Sequence, residues 1–449
     1  MTFRKQAASL AVMHAFEVLQ PLLILPHAGR VLGPHNFGQY AYALSIGQFA
    51  ATIVEYGFHW TAQRTAASAR QEPNVIGTLF ADVFAAKVLL LLVVTAAGLA
   101  VADGILAISK PMFMCVMLTA VGGILFPAWL FIGLERAWQA AIAVAVARSL
   151  ALLCFLTMVR SPVQVDLAVV IQSAIPLVSG VISLPFILPV GLDGFRSLTP
   201  SRVGMQFRNG WRGFLFSFVE RTSITLPVPL VEHFAGYVAA GQYSVAEKFV
   251  SATRPFFRVM TETLLPRVAY YAHHDPRAGL ALIWRSLLTL GVGAALSLSL
   301  FFVAPYVIII FFGDGFAAAI PIVRTMAVIP FLLNGNICMS NLYMFNYGHE
   351  RAWSRLTVFG LLVFLTLAYL LSPNLANPAI AVAIAAAAKE SVVFLVSAVF
   401  FLKFGATKEE LSGAHGVVAT RTTGKATGLV FPTPVPAVQT WRDQLRSNH

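Results

Sequence analysis

The chain has 449 residues, of which 58% are hydrophobic and only 11% charged, with a mean hydropathy of +0.77. That composition excludes a soluble globular protein and makes lipid the solvent for most of the chain. The net charge of +12 is scattered over short loops, not gathered into one patch, which speaks against nucleic acid as a partner.

In chain order, Arg4 and Lys5 precede an apolar stretch that His14 and Glu17 interrupt. No small-residue cleavage site follows, so this segment reads as an uncleaved first span. A hydropathy window of about 19 residues places six spans near residues 8–28, 38–60, 78–102, 112–133, 138–159 and 165–190. Six more follow near 213–231, 239–265, 286–312, 316–346, 354–372 and 378–402. The seventh contains Glu220, Arg221, Pro227 and Pro229, and the argument for it is loop charge. With the N-terminus inside, only Arg30, Lys110 and Arg160 among the loop and flanking cations fall outside. Omitting the seventh span would carry Arg267, Arg277, Arg351 and Arg355 outside, against the positive-inside rule. The reading is an all-α polytopic protein of about twelve spans in a bacterial inner membrane, with both termini cytoplasmic.

Two short strings repeat. Gly38-Gln39-Tyr40 opens the second span and Gly241-Gln242-Tyr243 the eighth, an offset of 203 residues. Gly133-Leu134-Glu135-Arg136-Ala137-Trp138 ends the fourth span and Gly348-His349-Glu350-Arg351-Ala352-Trp353 the tenth. Each pair matches span n with span n+6, which implies a parallel internal repeat of two six-helix lobes with a site between them. The expected domains are a first lobe over 1–190, a basic cytoplasmic linker over 191–212 and a second lobe over 213–402. The linker suits an amphipathic helix on anionic lipid. Residues 403–449, polar and ending near Pro432-Thr433-Pro434-Val435-Pro436, read as a disordered cytoplasmic tail.

Soluble-enzyme motifs are missing: there is no Walker loop, no dinucleotide fingerprint after a strand and no H-E-x-x-H. Gly291-Val292-Gly293 sits in an apolar run and reads as helix packing. Cys115, Cys154 and Cys338 stand singly, without a disulfide framework or a paired metal motif. No cofactor or metal is expected, since the histidines lack a second ligand at helical spacing.

Ionisable residues inside spans carry the functional signal, because each costs roughly 2.5–3.5 kcal/mol at mid-membrane unless it faces protein or water. Glu247, Ser251, Arg254, Arg258 and Glu262 follow helical steps in the eighth span with Lys248 beside them, and Gln48, Thr52, Glu55 and His59 do so in the second. Sliding by 203 aligns Glu55 with Arg258. Further buried candidates are Arg30, Asp82, Lys87, Arg148, Arg221, Arg324, Lys389 and Glu390. Structural pairing competes with function here: Arg258 with Glu262, Arg254 with Glu247, Asp82 with Lys87, while Lys389 and Glu390 can snorkel. Cations outnumber anions in this set, so a cleft built from it favours an anionic group, and guanidinium forks suit phosphate oxygens. Arg254, Arg258, Lys248, Arg30, Glu55, Arg148 and Arg221 are the candidate substrate-binding residues. The Asn334, Asn336, Ser340, Asn341 and Asn346 cluster reads as inter-helix hydrogen bonding.

The run Arg30-Val31-Leu32-Gly33-Pro34-His35-Asn36-Phe37-Gly38-Gln39-Tyr40 resembles the R-x-L-G-P-x-x-F-G-x-Y signature of Wzx-type polysaccharide flippases, in the multidrug/oligosaccharidyl-lipid/polysaccharide exporter superfamily. Residues 57–64, the segment from Tyr243 through Pro266-Arg267 and the two G-x-E-R-A-W strings are also similar, so the resemblance covers about residues 5–402. It implies a V-shaped pair of six-helix bundles that moves an undecaprenyl-pyrophosphate-linked oligosaccharide between leaflets by alternating access, alongside other polysaccharide assembly proteins. Only Arg30 and Gly33 transfer as signature positions. The alternatives are a membrane enzyme of the same pathway, such as an oligosaccharide polymerase or lipid-linked glycosyltransferase, and a drug or cation antiporter of the same superfamily. The outer loops are short for an enzyme, and buried arginine, not carboxylate, is in excess. A transporter and not an enzyme is therefore expected.

Overall fold

The computed structural model describes residues 3–187 and 192–404, and all regular structure among them is helical. Hydrocarbon offers no partners to backbone N–H and C=O groups, so a chain this apolar must satisfy them within helices. Among the described residues, ten stretches are long and apolar enough to cross a membrane. Two of these, Ala8–Glu55 at 48 residues and Pro200–Phe257 at 58, are each long enough for two crossings, given about 20 residues per crossing. The protein is thus a multi-pass membrane protein whose segments match the dozen read from hydropathy. Exposed side chains such as Leu19, Leu92, Leu153, Phe302 and Leu395 give the helix exteriors the apolar surface that lipid requires.

The chain parts into two compact units between Glu232 and His233. The first begins with α1 (Phe3–Glu55), which breaks at Gly33 with φ 70 and ψ 170. Contacts show that the chain reverses there. Before the break, Gln6 Nε2 donates to Ile132 O and His27 reaches Val159 O at 2.8 Å, so the helix runs from one end of the unit to the other. After it, Asn36 donates to Pro162 O at the His27 end, and Glu55 returns to the opposite end, against Lys87. We call the Gln6 end near and the His27 end far.

The unit continues through α2 (Phe58–Ser68), α3 (Pro73–Val101), α4 (Lys110–Leu125), α5 (Ala128–Gly133), α6 (Ala137–Met158), α7 (Val165–Ser173) and α8 (Ile175–Ile187). Its main core lies at the near end around Phe58, Ile76, Trp129, Leu130 and Phe131. The repeated strings acquire a physical role: Tyr40 is buried between Phe37 and Phe155, with ring centroids 5.9 and 6.0 Å away, and holds the returning limb of α1 against α6.

Helix α9 (Pro200–Thr225) also packs in the first unit. Residues 200–212, expected as part of a linker, form its first turns and are fastened to α3: Arg202 Nε and Nη2 both donate to Asp82 Oδ2 at 3.2 Å. Nη2 also lies 3.0 Å from Oδ1, a charge contact without hydrogen-bond geometry. Tyr56 stacks on Phe214 at 4.5 Å, and a Cβ added to Gly57 would come within 2.6 Å of Gly213 backbone, so the chain can approach this closely only as glycine.

The second unit starts within α10 (Pro227–Ser251), which breaks at Gly236 with φ 74 and ψ −178. This is the conformation of Gly33, 203 positions earlier, so the repeat read from Gly38-Gln39-Tyr40 extends to the backbone. There follow α11 (Arg254–His274), α12 (Pro276–Ser286), α13 (Leu290–Phe312), α14 (Ala319–Met326), α15 (Ile329–Asn336), a π-helical stretch (Ile337–Met344), α16 (Glu350–Leu371) and α17 (Pro378–Phe404). A core of Val268, Ile283, Leu342, Tyr343 and Phe401 ties four of these segments together. Gly293 packs on Phe331 and Pro330 of α15, as the packing reading of that glycine pair requires, whereas Gly291 faces open space. The expected tail lies outside the described residues, apart from its first two positions.

Gly33 and Gly236 occupy a backbone region open essentially to glycine alone, and nothing lies within 4 Å of a Cβ at either. Alanine at each site should therefore cost about 1–3 kcal/mol of backbone strain without any clash. Thermal unfolding of the purified protein should show a lowered midpoint for Gly33→Ala and Gly236→Ala, and none for Gly291→Ala.

Candidate functional site

Each unit encloses its own polar cluster. In the first unit the near-end cluster forms where α1 stops. Tyr56, at φ 45, and Gly57, at φ 70, separate α1 from α2, so Glu55 ends one helix and His59 opens the next. The expected stripe of Gln48, Thr52, Glu55 and His59 is therefore not one helix face. Lys87, almost fully buried on α3, donates to Glu55 Oε2 at 2.6 Å and to Gly123 O at 3.3 Å. The charges of Glu55, Arg221 and Lys87 all bear on His59.

These contacts correct the expected pairing of Asp82 with Lys87. Five residues apart, they point to different sides of α3, and each finds an opposite charge elsewhere: Asp82 takes Arg202 and Gln206, and Lys87 takes Glu55. Arg30, Arg221 and Arg324, expected to be buried, are exposed. Arg324 covers the Phe301 ring at 5.3 Å and donates to its carbonyl.

A second cluster in this unit spans helices. Gln20 on α1 accepts from Arg148 Nη1 of α6 at 3.1 Å and donates to Gln172 of α7 at 3.2 Å, while Gln172 bonds the Tyr40 hydroxyl. His14 and Glu17, 2.9 Å apart, precede Gln20 on α1, and the Glu17 charge bears on Arg148. The sequence offered no carboxylate near Arg148; α1 supplies one from 131 positions away.

The second unit gathers its cluster from four segments. The eighth span is not continuous as expected: α10 ends at Ser251 and α11 starts at Arg254, with Pro255 in its first turn, so the polar stripe bends at Ala252-Thr253. Proline has no N–H to continue α10 and disfavours helix in the residue before it. Glu55 closes α1, whereas Arg258 lies inside α11, so their alignment by sliding 203 positions is not matched in local structure. Buried Glu247 accepts from Lys248 at 2.9 Å and from Ser251 Oγ at 2.6 Å. Glu390 on α17 accepts from Lys389 at 3.0 Å and from Asn336 at 2.8 Å, so Lys389 and Glu390 pair with each other and do not snorkel separately. The charge of Arg254 bears on both carboxylates. The side chains of Arg258 and Glu262 lie outside the described residues. The asparagine cluster bonds between helices, Asn334 to Thr289 of the segment before α13, Asn336 to Glu390 and Ser340 to Ser397.

One feature recurs in both units. Among the described residues only two guanidinium nitrogens are buried without a hydrogen-bond partner: Nε of Arg148 and Nε of Arg254. Sequence spacing could single out both arginines but not this state, which arises because their neighbours occupy the Nη edge or interact only through charge.

Residues 3–271 match the family described as "Polysaccharide biosynthesis protein". A protein of Escherichia coli (strain K12) named "Putative O-antigen transporter" is 24% identical over 367 residues, covering 80% of this chain and 87% of its own length. A Shigella dysenteriae protein of the same name is 22% identical, over 82% and 92%. Two solved structures share the fold. An inward-facing multidrug resistance MATE family transporter of the MOP superfamily superposes with a TM-score of 0.68 at 14% identity, over 92% of this chain and 99% of that one. The lipid II flippase MurJ, in an inward closed conformation, superposes at 0.65 and 11% identity, over 93% and 94%.

The Lys87–Glu55 contact buries the ammonium almost completely, so removing its partner should be costly. Glu55→Gln leaves the Lys87 ammonium without its counter-charge, a change worth about 3 kcal/mol, and should lower abundance and the melting midpoint. The double variant Glu55→Gln, Lys87→Met should recover most of both, as read by fluorescence-detected size-exclusion chromatography with a thermal ramp.

Proposed function

Because this chain belongs to the polysaccharide biosynthesis protein family, we propose that it is the flippase of a surface-polysaccharide pathway. It carries an undecaprenyl-pyrophosphate-linked oligosaccharide repeat unit across the inner membrane by alternating access, and it acts as a carrier, not an enzyme. The supporting observation is the pair of half-buried arginines, one per unit, each keeping a buried N–H donor unused. Pyrophosphate is the anionic part of such a cargo that stays constant while the sugars vary, and guanidinium donors suit its oxygens. Glu247 and Glu390 beside Arg254 give the cycle a means of release, since they compete with phosphate for the same cation. Arg258, Lys248, Arg30, Glu55 and Arg221 complete the proposed path of the head group. The bilayer and other polysaccharide assembly proteins are its surroundings.

Hydrogen bonds to charged groups contribute about 1.5–3 kcal/mol, so Arg254→Ala or Arg258→Ala should cut polysaccharide export by roughly 10- to 100-fold at near-normal abundance. Lysine should rescue partly, lacking the fork. Export assayed in a strain deleted for this gene decides it. Recovery of export in Arg254→Ala, Glu247→Gln would assign Arg254 a purely structural role.

In the proposed orientation both termini and the start of α9 are cytoplasmic. Reporter fusions after Arg202 and after Lys403 should both read inside, and an outside reading at either would break the scheme.

A further inference from the structure

The basic start of α9 carries two arginines that neither the Asp82 contact nor the transport reading uses. Helix α9 passes into the first part of α10 through a single bend at Leu226, which keeps right-handed helical dihedrals and bonds to Thr222 and Leu230, so the run from Pro200 to Ala235 continues in helical geometry. Thirty-six residues at about 1.5 Å each exceed the roughly 30 Å hydrocarbon core, so one end of this helix stands in the head-group layer. The apolar run begins after Arg212, at Gly213-Phe214-Leu215-Phe216, which leaves Pro200–Arg212 as the part outside the core. One side of that part faces protein through Arg202, Gln206 and Gly210; Arg208, Trp211 and Arg212 are exposed. No ion pair to Arg208 or Arg212 is formed among the described residues.

Helix α2 presents the same order beside it. The two helices are in register, because Tyr56 stacks on Phe214, Gly57 abuts Gly213 and Phe58 meets Phe207. Trp60 lies next to Gly213 and is exposed, and Arg64, one turn farther out, is exposed too. Read outward from the core, α2 shows Trp60 and then Arg64, and α9 shows Arg212, then Trp211, then Arg208, so on each helix an exposed arginine stands beyond an exposed tryptophan. Tryptophan prefers the boundary between acyl chains and head groups, and arginine the phosphate level just beyond.

We propose that this α2/α9 face is a docking site for an anionic phospholipid of the surrounding leaflet, its phosphate received by Arg64 and Arg208 above Trp60 and Trp211. The occupant follows from charge and depth: the face carries arginines at phosphate level and aromatic rings one turn deeper. This site is separate from the Arg148 and Arg254 clusters and needs no cargo. Its failure would leave the transport reading standing, and the reverse also holds.

The test uses the full chain in nanodiscs of mixed phosphatidylglycerol and phosphatidylethanolamine, followed by detergent extraction and native mass spectrometry. The wild type should retain phosphatidylglycerol over phosphatidylethanolamine. Arg64→Gln with Arg208→Gln should lower that retention roughly tenfold or more, and Arg64→Lys with Arg208→Lys should keep most of it. Arg277→Gln, in the other unit, should change nothing, and equal melting midpoints would establish that the variants fold. Equal retention in wild type and the glutamine variant overturns the proposal. So does preferential displacement of the bound lipid by undecaprenyl pyrophosphate, which would make the face a cargo site.

Discussion

An unpaired charge or backbone polar group in hydrocarbon costs several kcal/mol, and this constraint organises the protein. It makes the described chain helical, and it dictates where ionisable side chains lie. Asp82 is fully buried, yet its carboxylate meets Arg202 and Gln206. Lys87 meets Glu55 and a carbonyl. Glu390 meets Lys389 and Asn336. Each of these residues meets an opposite charge at 3.0 Å or less, whereas Arg148 and Arg254 are the described guanidinium groups that keep a buried donor without a hydrogen-bond partner.

The same constraint explains where helices are interrupted. A break exposes N–H and C=O groups, so it is tolerated where other protein groups or the membrane boundary can meet them. Gly33 and Gly236 reverse or redirect the chain at the ends of long apolar runs. The interruptions at Tyr56-Gly57 and Ala252-Thr253 are different in kind, since each lies beside an ionisable cluster, with Glu55 and His59 around one and Glu247 and Arg254 around the other. Ending one helix and starting another lets neighbouring charges leave a shared face and point toward different partners. The π-helical stretch after Asn336 does related work, for it carries Ser340 to Ser397 directly after Asn336 reaches Glu390.

Much of this was legible in the sequence because it depends on quantities that sequence carries directly. Hydropathy located the spans, loop charge argued for the seventh, and the repeated Gly-Gln-Tyr strings marked two equivalent places, each five residues beyond a glycine with the same positive φ. What failed was pairing. Asp82 and Lys87 are close along α3 but project to different neighbours, and α9, which supplies Arg202, is 120 residues away. The stripes of the second and eighth spans assumed unbroken helix. Pro255 is visible in the sequence as a breaker, whereas Tyr56 in a left-handed conformation is not, because nothing about tyrosine favours it.

The placement of α9 shows how packing can override an arrangement inferred from repeats. By counting, α9 opens the second set of six spans; by contact, it belongs with α1, α2 and α3. Three features hold it there, and they are of different strengths. Aromatic stacking of Tyr56 on Phe214 adds about 0.5–1.5 kcal/mol beyond burial. The Gly57–Gly213 approach gains dispersion but no direction. The Asp82–Arg202 contact supplies direction, because a carboxylate fully buried among protein groups is tolerable only with its guanidinium in place, and undocking α9 would leave it without its counter-charge. The near half of α9 is thus committed to the first unit by electrostatics, while the border between units falls at its far continuation, within α10.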